Sequence, residues 1–600
     1  MPISRSPQTI YEIIEMRAEK YPDKPALAFP GGKIIHSLDL WRASLTVAEV
    51  LRTAGVREGD RAALVMSRGL DDVIVNLGAS SFATAVPLNP ESGTKEFEYF
   101  FEAFGVKILI TDIKDSEAVK AARRRKLPVI IKSDWICGRK PVYAAAKFNK
   151  KINDIAFVLP TSGTTARPKL VPLSHGNVYF GAMNIKKALR LSSDDRCLSV
   201  MPLFHVHGLM VMISTLFAGG FFMYTPKFDR DDFFQWLDEF DPTWYTASAA
   251  LQQYIVGRAD KYKKIVKKQE LRLIRSSSAP LPKETTEKLE RIFGAPVAES
   301  YGMTEAALQI TSQPLPPAKR KFGSVGKPAG VKIKIVNEQG KAVPVGSIGE
   351  IIITGKNVIK AYGENPEANR KSFSRGWLKT GDLGFMDKDG FVFVRGRIKE
   401  MINKGGEKIS PREIDEAMLR YPDIEQAVAF SVPHSELGED IAAAVVIKQG
   451  KIFDEKKIRR FLTGELAAFK IPSRIIEADE LPKTGAGKLK RVGLYEEFKY
   501  RPGFIGPQSL KKTRNLPNNM NTSKNNNEAI LIDIWREVLG TEKIEPDDNF
   551  FELGGDSLKV GEFLRSALKK GLKVGPADLY NQPTIAGLAK ILIRKSKKGI

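Results

Sequence analysis

Apolar residues fall at helical spacing in "IYEIIEMRAEK", through Ile10, Ile13 and Ile14, and the following "PDKPALAF" shortens to a strand-like run. From there to about residue 395, short apolar stretches such as "RAALVM", "KILITD", "PVIIKS" and "DIAFVLPTSG" alternate with helical patterns. That alternation predicts an α/β fold with a substantially parallel sheet. The most apolar stretch, "LMVMISTLFAGGFFMY", is too short to span a bilayer and is broken by a glycine pair, so it predicts a buried helix, a turn and a strand. Near Arg397 the texture changes to a smaller α+β unit with strands "QAVAFSVP" and "IAAAVVIKQG" and helix "DEKKIRRFLTGELAAF". The stretch "RPGFIGPQSLKKTRNLPNNMNTSKNNNE" has little apolar content and predicts a flexible linker. Beyond it, "AILIDIWREVLG", "SLKVGEFLRSALKKG" and "TIAGLAKILIRK" predict a helical bundle of about 70 residues. No internal repeat is visible. The expected organisation is a large unit over 1–395, a small one over 396–498, a linker over 499–527 and a bundle over 528–595.

Composition refines this picture only slightly. Six hundred residues imply several cores, and 42% hydrophobic and 9% aromatic residues are ordinary for globular protein. Cys137 and Cys197 can make neither a disulfide framework nor a thiolate metal site, which suits a reducing cytoplasm. The first residues contain no apolar signal core, and neither they nor the rest of the chain predict a membrane span. The net charge of +24 raises nucleic acid as a partner. The lysines, however, are mixed with acids in helix-compatible runs such as "KYKKIVKKQELR", with no nucleic-acid motif beside them. A smaller polyanion, ATP or coenzyme A, accounts for a positive field without nucleic acid.

The chemistry concentrates in "LPTSGTTARPKLVPLSHGN", residues 159–177. Hydroxyls, glycine amides and Lys169 behind an apolar strand are suited to wrapping a polyphosphate. The loop is not GxxxxGK[ST], and "TGAGKLK" near residue 488 also fails that pattern. The loop resembles the phosphate-binding signature of the adenylate-forming superfamily, which includes acyl-CoA synthetases, nonribosomal-peptide adenylation domains and luciferases. The resemblance continues in order through "PLFHVHGL" (202–209), "SSSAPLP" (276–282), "ESYGMTEA" (299–306), "GWLKTGDLG" (376–384), "GRIKEMINKGGEKISPREIDE" and "PKTGAGKLKR" (482–491). Seven ordered motifs between residues 159 and 491 are specific, although Ala166 and Leu170 stand where glycines are usual.

The resemblance implies ATP-dependent activation of a carboxylic acid to acyl-AMP, then transfer to a thiol. It implies that Thr161, Ser162, Gly163, Thr164, Thr165 and Lys169 hold the β- and γ-phosphates, that Thr304 binds the α-phosphate, and that Glu305 holds Mg²⁺. Ser278, Ala279, Ser300, Tyr301 and Gly302 fall along the nucleotide, with Tyr301 against adenine. Asp382 and Arg397 fall at the ribose, though in isolation they read as a turn residue and a surface ion-pair partner. Lys488 is the expected catalytic cation, bridging carboxylate and α-phosphate. Lys399 occupies the hinge position, and Gly405 and Gly406 fall where the small unit approaches a pantetheine arm.

For the acid, the resemblance places His205 beside the carboxylate; the stretch from "TSGTTARPK" to "FGSVGKPAG" resembles oxalate–CoA ligases, and Ala307 and Leu308 stand where those enzymes carry a polar pair containing histidine. An unpaired second carboxylate or ammonium against leucine is costly, so an acyl or aryl monocarboxylate is expected.

Finally, "DNFFELGGDSLKV" admits a helix cap at Asp556 or Ser557 from local sequence. It also resembles the phosphopantetheine attachment site of acyl and peptidyl carrier proteins, a four-helix all-α bundle, with Ser557 receiving the arm from coenzyme A through a separate phosphopantetheinyl transferase. Family carriers are typically acidic, whereas Lys569, Lys570 and Lys573 make this one nearly balanced. A coil of about 28 residues spans roughly 30 Å, which gives the arm a high effective concentration at the activating site. Loading of the fused carrier is the expected reaction, with an acyl-accepting enzyme downstream in trans. Release of free acyl-CoA, with the carrier serving to dock, is the alternative.

Overall fold

The computed structural model describes residues 8–132, 148, 150–160, 169–229, 231–363, 365–434, 437–482, 491, 493–499, 525–541, 543–550, 553, 555, 557–575, 578–579 and 582–597. The chain divides into two compact units, one reaching Val394 and the other beginning at Arg395.

The first unit is built on two largely parallel sheets. A seven-stranded sheet runs in space through Val297–Glu299, Leu273–Ser277, Trp244–Ser248, Arg196–Ser199, Phe221–Tyr224, Pro25–Ala28 and Ile35–His36. All its pairs are parallel except the last. A six-stranded sheet runs through Val129–Ile131, Val106–Thr111, Arg61–Val65, Thr84–Pro87, Ile155–Pro160 and Leu170–Ser174, and only its final hairpin is antiparallel. Covered on both faces, such strands become uninterrupted buried runs, as in Trp244–Ser248, where all five residues are buried. The helix Val206–Ala218 is buried almost all round and turns through Gly219 (φ 86°) into the strand Phe221–Tyr224. This is the helix–turn–strand expected of that apolar stretch.

The rest of the first unit departs from the parallel expectation. Lys332–Val336, Gly349–Thr354, Trp377–Met386 and Phe373–Ser374 form, with the strand starting at Val392, a separate antiparallel sheet. The cause is connection length. Tight turns at Gly376 and Gly390, both with positive φ, can join only antiparallel neighbours.

In the second unit, Glu407–Ile409, Ile402–Lys404, Gly438–Ile447 and Ile424–His434 form a sheet, with Arg474–Glu477 added parallel to Gly438–Ile447. Helices Pro411–Leu419 and Glu455–Glu465 bury Ile414, Met418, Ile458 and Leu462 against it. The C-terminal bundle has helices Asn525–Leu539, Ser557–Lys569 and Ile585–Lys597 among the described residues. Trp535, Phe550 and Phe563 pack edge to face or tilted at its centre, with centroids 5.0 to 6.4 Å apart. Among the described residues, no helix is long and apolar enough to cross a membrane. The predicted linker falls almost wholly outside them.

Candidate active site

The strands Ile155–Pro160 and Leu170–Ser174, which flank the hydroxyl-rich segment in sequence, pair antiparallel, with Pro160 opposite Leu170. Thr161, Ser162, Gly163, Thr164 and Thr165 lie outside the described residues, as does Lys488. Lys169, at the loop's exit, is described. Its Nζ stands 4.4 Å from the ring centroid of Tyr362 and 3.4 Å from Ser372 Oγ. The Tyr362 hydroxyl donates to Glu305 Oε1 at 2.8 Å, and both residues are buried. A cation, an aromatic face and a carboxylate thus stand in sequence, drawn from three separate stretches of chain. The motif-based reading missed Tyr362. The tyrosine–glycine pair behind "NVIKA" was its only trace in the sequence.

Glu305 belongs to a compact hairpin. Gly302–Met303 pairs antiparallel with Leu308–Gln309 around a single 3₁₀ turn, Thr304–Ala306. The chain closes so tightly that a β-carbon at Gly302 would stand 1.6 Å from the Leu308 carbonyl oxygen. Two residues pass through the left-handed region, Ala307 at φ 44° and Leu308 at φ 79°. For leucine this is an uncommon conformation, which survives only where neighbours over-determine it. Both side chains are buried. The hairpin therefore places a half-buried threonine and a buried glutamate one turn away from an apolar pair. Upstream, Ser300 is buried and its amide donates to the Ser276 carbonyl. Tyr301 donates its hydroxyl to Asp382 Oδ2 at 2.5 Å, and Asp382 itself is only 4% exposed.

Ser278 also carries a positive φ, 77°. Its hydroxyl lies 2.9 Å from Nδ1 of His207, whose Nε2 lies 2.8 Å from Thr246 Oγ1. His207 is fully buried, while His205 caps the start of the helix Val206–Ala218 and is half-buried. The sequence pointed to His205; the histidine that joins Ser278 to Thr246, in the middle of the strand Trp244–Ser248, is the one two residues later. An H-x-H pair entering a helix was the available signal. Ala279, next to Ser278, is half-buried and packs on the core beside it. Two residues before Ser277, the Arg275 guanidinium is fully buried and donates to Gln309 Oε1 at 3.1 Å. Burial lowers its pKa to about 10.

A cavity of about 340 Å³ in the same unit is lined by Arg68, Asp72, Asn89, Glu91, Phe204 and Lys227, among others. Asp72 is buried there, accepting from Tyr224 at 3.1 Å and Asn76 at 2.9 Å, and burial pushes its carboxyl up to about 7.

In the second unit, Arg397 and Lys399 are exposed, as are Gly405 (φ 59°) and Gly406 (φ 93°), which turn between Ile402–Lys404 and Glu407–Ile409. Beneath that turn Lys404 and Asp440 form a buried ion pair at 2.7 Å. Arg491, just past the Lys488 segment, pairs with Asp415 at 2.6 Å. Desolvation raises the Asp415 pKa against the pull of that guanidinium. Ser557 opens the helix Ser557–Lys569.

No cluster of three or more metal-ligating side chains occurs among the described residues. The donor set still fits Mg²⁺, since this ion commonly takes one or two carboxylates and completes its shell with water and substrate phosphates. Glu305 supplies the hard oxygen, and Lys169 lies across Tyr362 from it.

The profile of AMP-binding enzymes matches residues 14–363, that of the AMP-binding enzyme C-terminal domain 413–488, and that of the phosphopantetheine attachment site 529–592. An oxalate–CoA ligase of Arabidopsis thaliana is 38% identical over 515 residues, covering 82% of this chain and 99% of the relative. Among solved structures, the anthranilate CoA ligase AuaEII in complex with anthranoyl-AMP is similar with a TM-score of 0.76 and 26% identity, over 83% of this chain and 99% of that one. The o-succinylbenzoate coenzyme A synthetase MenE of Bacillus subtilis, in complex with ATP and magnesium, is similar with a TM-score of 0.70 and 28% identity, over 80% of this chain and 98% of that one.

Proposed function

The chain belongs to the AMP-binding enzyme family, as an acyl-adenylate-forming ligase with a fused phosphopantetheine carrier domain, and on that premise we propose that it activates an acyl or aryl monocarboxylic acid and loads it onto an arm at Ser557. In the first half-reaction a carboxylate oxygen attacks the α-phosphorus of ATP and pyrophosphate leaves. Two anions meet there, so the barrier falls where fixed positive charge lies along the developing pentacovalent phosphorus. Lys488 supplies that charge between the carboxylate and the α-phosphate, Lys169 steadies the departing β- and γ-phosphates, and Thr304 donates to the α-phosphate. Glu305, oriented by the Tyr362 hydroxyl, would hold Mg²⁺, which would supply positive charge to the phosphates, and Asp382 accepts the ribose hydroxyls. Tyr301 lies on adenine and is fixed by its bond to Asp382. Lys399 serves as the hinge, and Gly405 and Gly406 line the approach of the arm. The phosphopantetheine arm supplies the thiol that accepts the acyl group, with AMP as the leaving group.

The observation that carries the choice of acid is the hairpin 302–309. It sets Glu305 and the apolar pair Ala307–Leu308 a few residues apart, so an acid with an apolar body is accommodated and a second charge is not. MenE in complex with ATP and magnesium supports the same cosubstrates here.

Acid-dependent ATP–pyrophosphate exchange across a panel of acids tests the reading, combined with mass spectrometry of Ser557 in the phosphopantetheinylated protein. Exchange with apolar monocarboxylates and an acyl mass on Ser557 are expected. Exchange with oxalate alone would overturn the acid assignment. Release of acyl-CoA with an empty arm would make the protein a free CoA ligase, the activity named for its Arabidopsis relative.

A further inference from the structure

The left-handed pair Ala307–Leu308 raises a question of support. Neither residue is a glycine, and the hydrogen bonds internal to a hairpin this short leave the carbonyls at its shoulders to be satisfied from outside. One side chain reaches both. Asn357 is fully buried, and its Nδ2 donates to the Ala306 carbonyl at 2.7 Å and to the Gln309 carbonyl at 3.1 Å. The two acceptors bracket the strained pair. The same stretch of chain grips the hairpin twice more, through the Ile359 amide to the Glu305 carbonyl at 2.9 Å and through the Tyr362 hydroxyl to Glu305. On its other side the stretch is tied to the helix His175–Leu189, which follows the strand Leu170–Ser174, since Asn177 Nδ2 donates to the carbonyls of Lys356 and Val358. Gly181 of that helix completes the seat: a β-carbon there would stand 2.8 Å from the Ala307 carbonyl.

We infer that Asn357 is a positioning residue that fixes the Ala307–Leu308 turn and thereby sets which acids the enzyme accepts. The inference rests on the reading that this turn faces the acid. Asn357 itself touches neither substrate. Its two bonds hold a backbone shape that Ala307 and Leu308 do not favour unaided, and that shape decides how far the Leu308 side chain reaches into the space left for the acyl body.

The test is steady-state pyrophosphate exchange by the full-length enzyme with a homologous series of monocarboxylic acids. A single methylene in a fitted apolar pocket is worth about 10-fold or more in selectivity. Asn357→Ala should therefore flatten the preference between the best acid and its neighbour by about tenfold and raise KM for the acid, while KM for ATP moves by less than about twofold. Glycine at 307 takes the left-handed conformation freely, so the same substitution in an Ala307→Gly background should cost about threefold less selectivity. That comparison also serves if the single variant fails to fold. Unchanged selectivity in Asn357→Ala, or equal rises in both KM values, overturns the inference. Leu308→Ala separates the two levels. If it shifts selectivity while Asn357→Ala does not, only the positioning role fails; if it shifts nothing, the acid-facing reading fails and takes the inference with it.

Discussion

Replacing Tyr362 with phenylalanine removes one oxygen and leaves the ring beneath Lys169. That oxygen donates to Glu305 Oε1 at 2.8 Å in a buried setting. A hydrogen bond to a charged acceptor contributes about 1.5–3 kcal/mol, and loss of an orienting partner behind a metal ligand costs about 10–100-fold in metal affinity. The two figures agree, since 1.4 kcal/mol is about one decade. In acid-dependent pyrophosphate exchange at saturating ATP, Tyr362→Phe should raise the Mg²⁺ concentration for half-maximal rate by about 10-fold or more, with the maximal rate largely recovered at high Mg²⁺. Tyr362→Leu also removes the aromatic face 4.4 Å from Lys169 Nζ. A cation–π contact contributes about 0.5–2 kcal/mol, so this variant should show a further rise in KM for ATP. A Mg²⁺ curve for Tyr362→Phe that superimposes on the wild type would refute the argument. So would a lower maximal rate with the midpoint unmoved, because the hydroxyl would then act on the reaction and not on the ion.

Two further expectations concern buried carboxylates. Asp72 has a folded pKa raised from 3.8 to about 7 by burial, so the native state holds a proton that the unfolded state has lost. Its contribution is complete below about pH 4, declines as pH rises towards 7 and is then flat, by an upper bound of about 4 kcal/mol. Urea unfolding at pH 5 and pH 8 should show Asp72→Asn gaining stability on the wild type at the higher pH, and a constant difference would contradict this. Asp415→Asn removes the nearer carboxylate from the Arg491 guanidinium, which is only 15% exposed and keeps Glu400 at 3.4 Å. It should destabilise the second unit by up to about 3–5 kcal/mol, the cost of an unpaired buried charge, reduced by what Glu400 retains. Urea titrations that place Asp415→Asn within about 1 kcal/mol of the wild type would show that solvent reaches the pair.

The family and the α/β architecture were legible in the sequence because both are local. Ordered motifs identify themselves, and strands buried on two faces stand out as unbroken apolar runs. The antiparallel sheet from Lys332 onwards was less legible, since its strands are individually unremarkable and the short turns between them carry the information. Asn357 and Tyr362 were not legible as parts of the site. Their partners, Ala306, Gln309, Glu305 and Lys169, lie from about 50 to nearly 200 positions away, and no spacing rule connects them. His207 fell between. The motif marked the neighbourhood, but which of two histidines turns inward depends on where the helix begins. Gly302 was picked out for the nucleotide, and the structure adds a steric reason for its lack of a side chain, the Leu308 carbonyl against which it packs.

The backbone at position 308 has a bearing on how this enzyme's substrate range can drift. Leucine is a poor occupant of φ 79°, whereas asparagine, aspartate and histidine enter that region several times more readily. An exchange of Leu308 for one of these would relieve the main chain and bring in a hydrogen-bonding group at the same stroke. On the proposed reading that this turn faces the acid, drift from greasy acids towards polar ones is therefore favoured by conformation before any new ligand contact is made, and the reverse path climbs. A lineage that reaches for leucine here must keep a clasp on the turn, and the amide of residue 357 is in place to be that clasp.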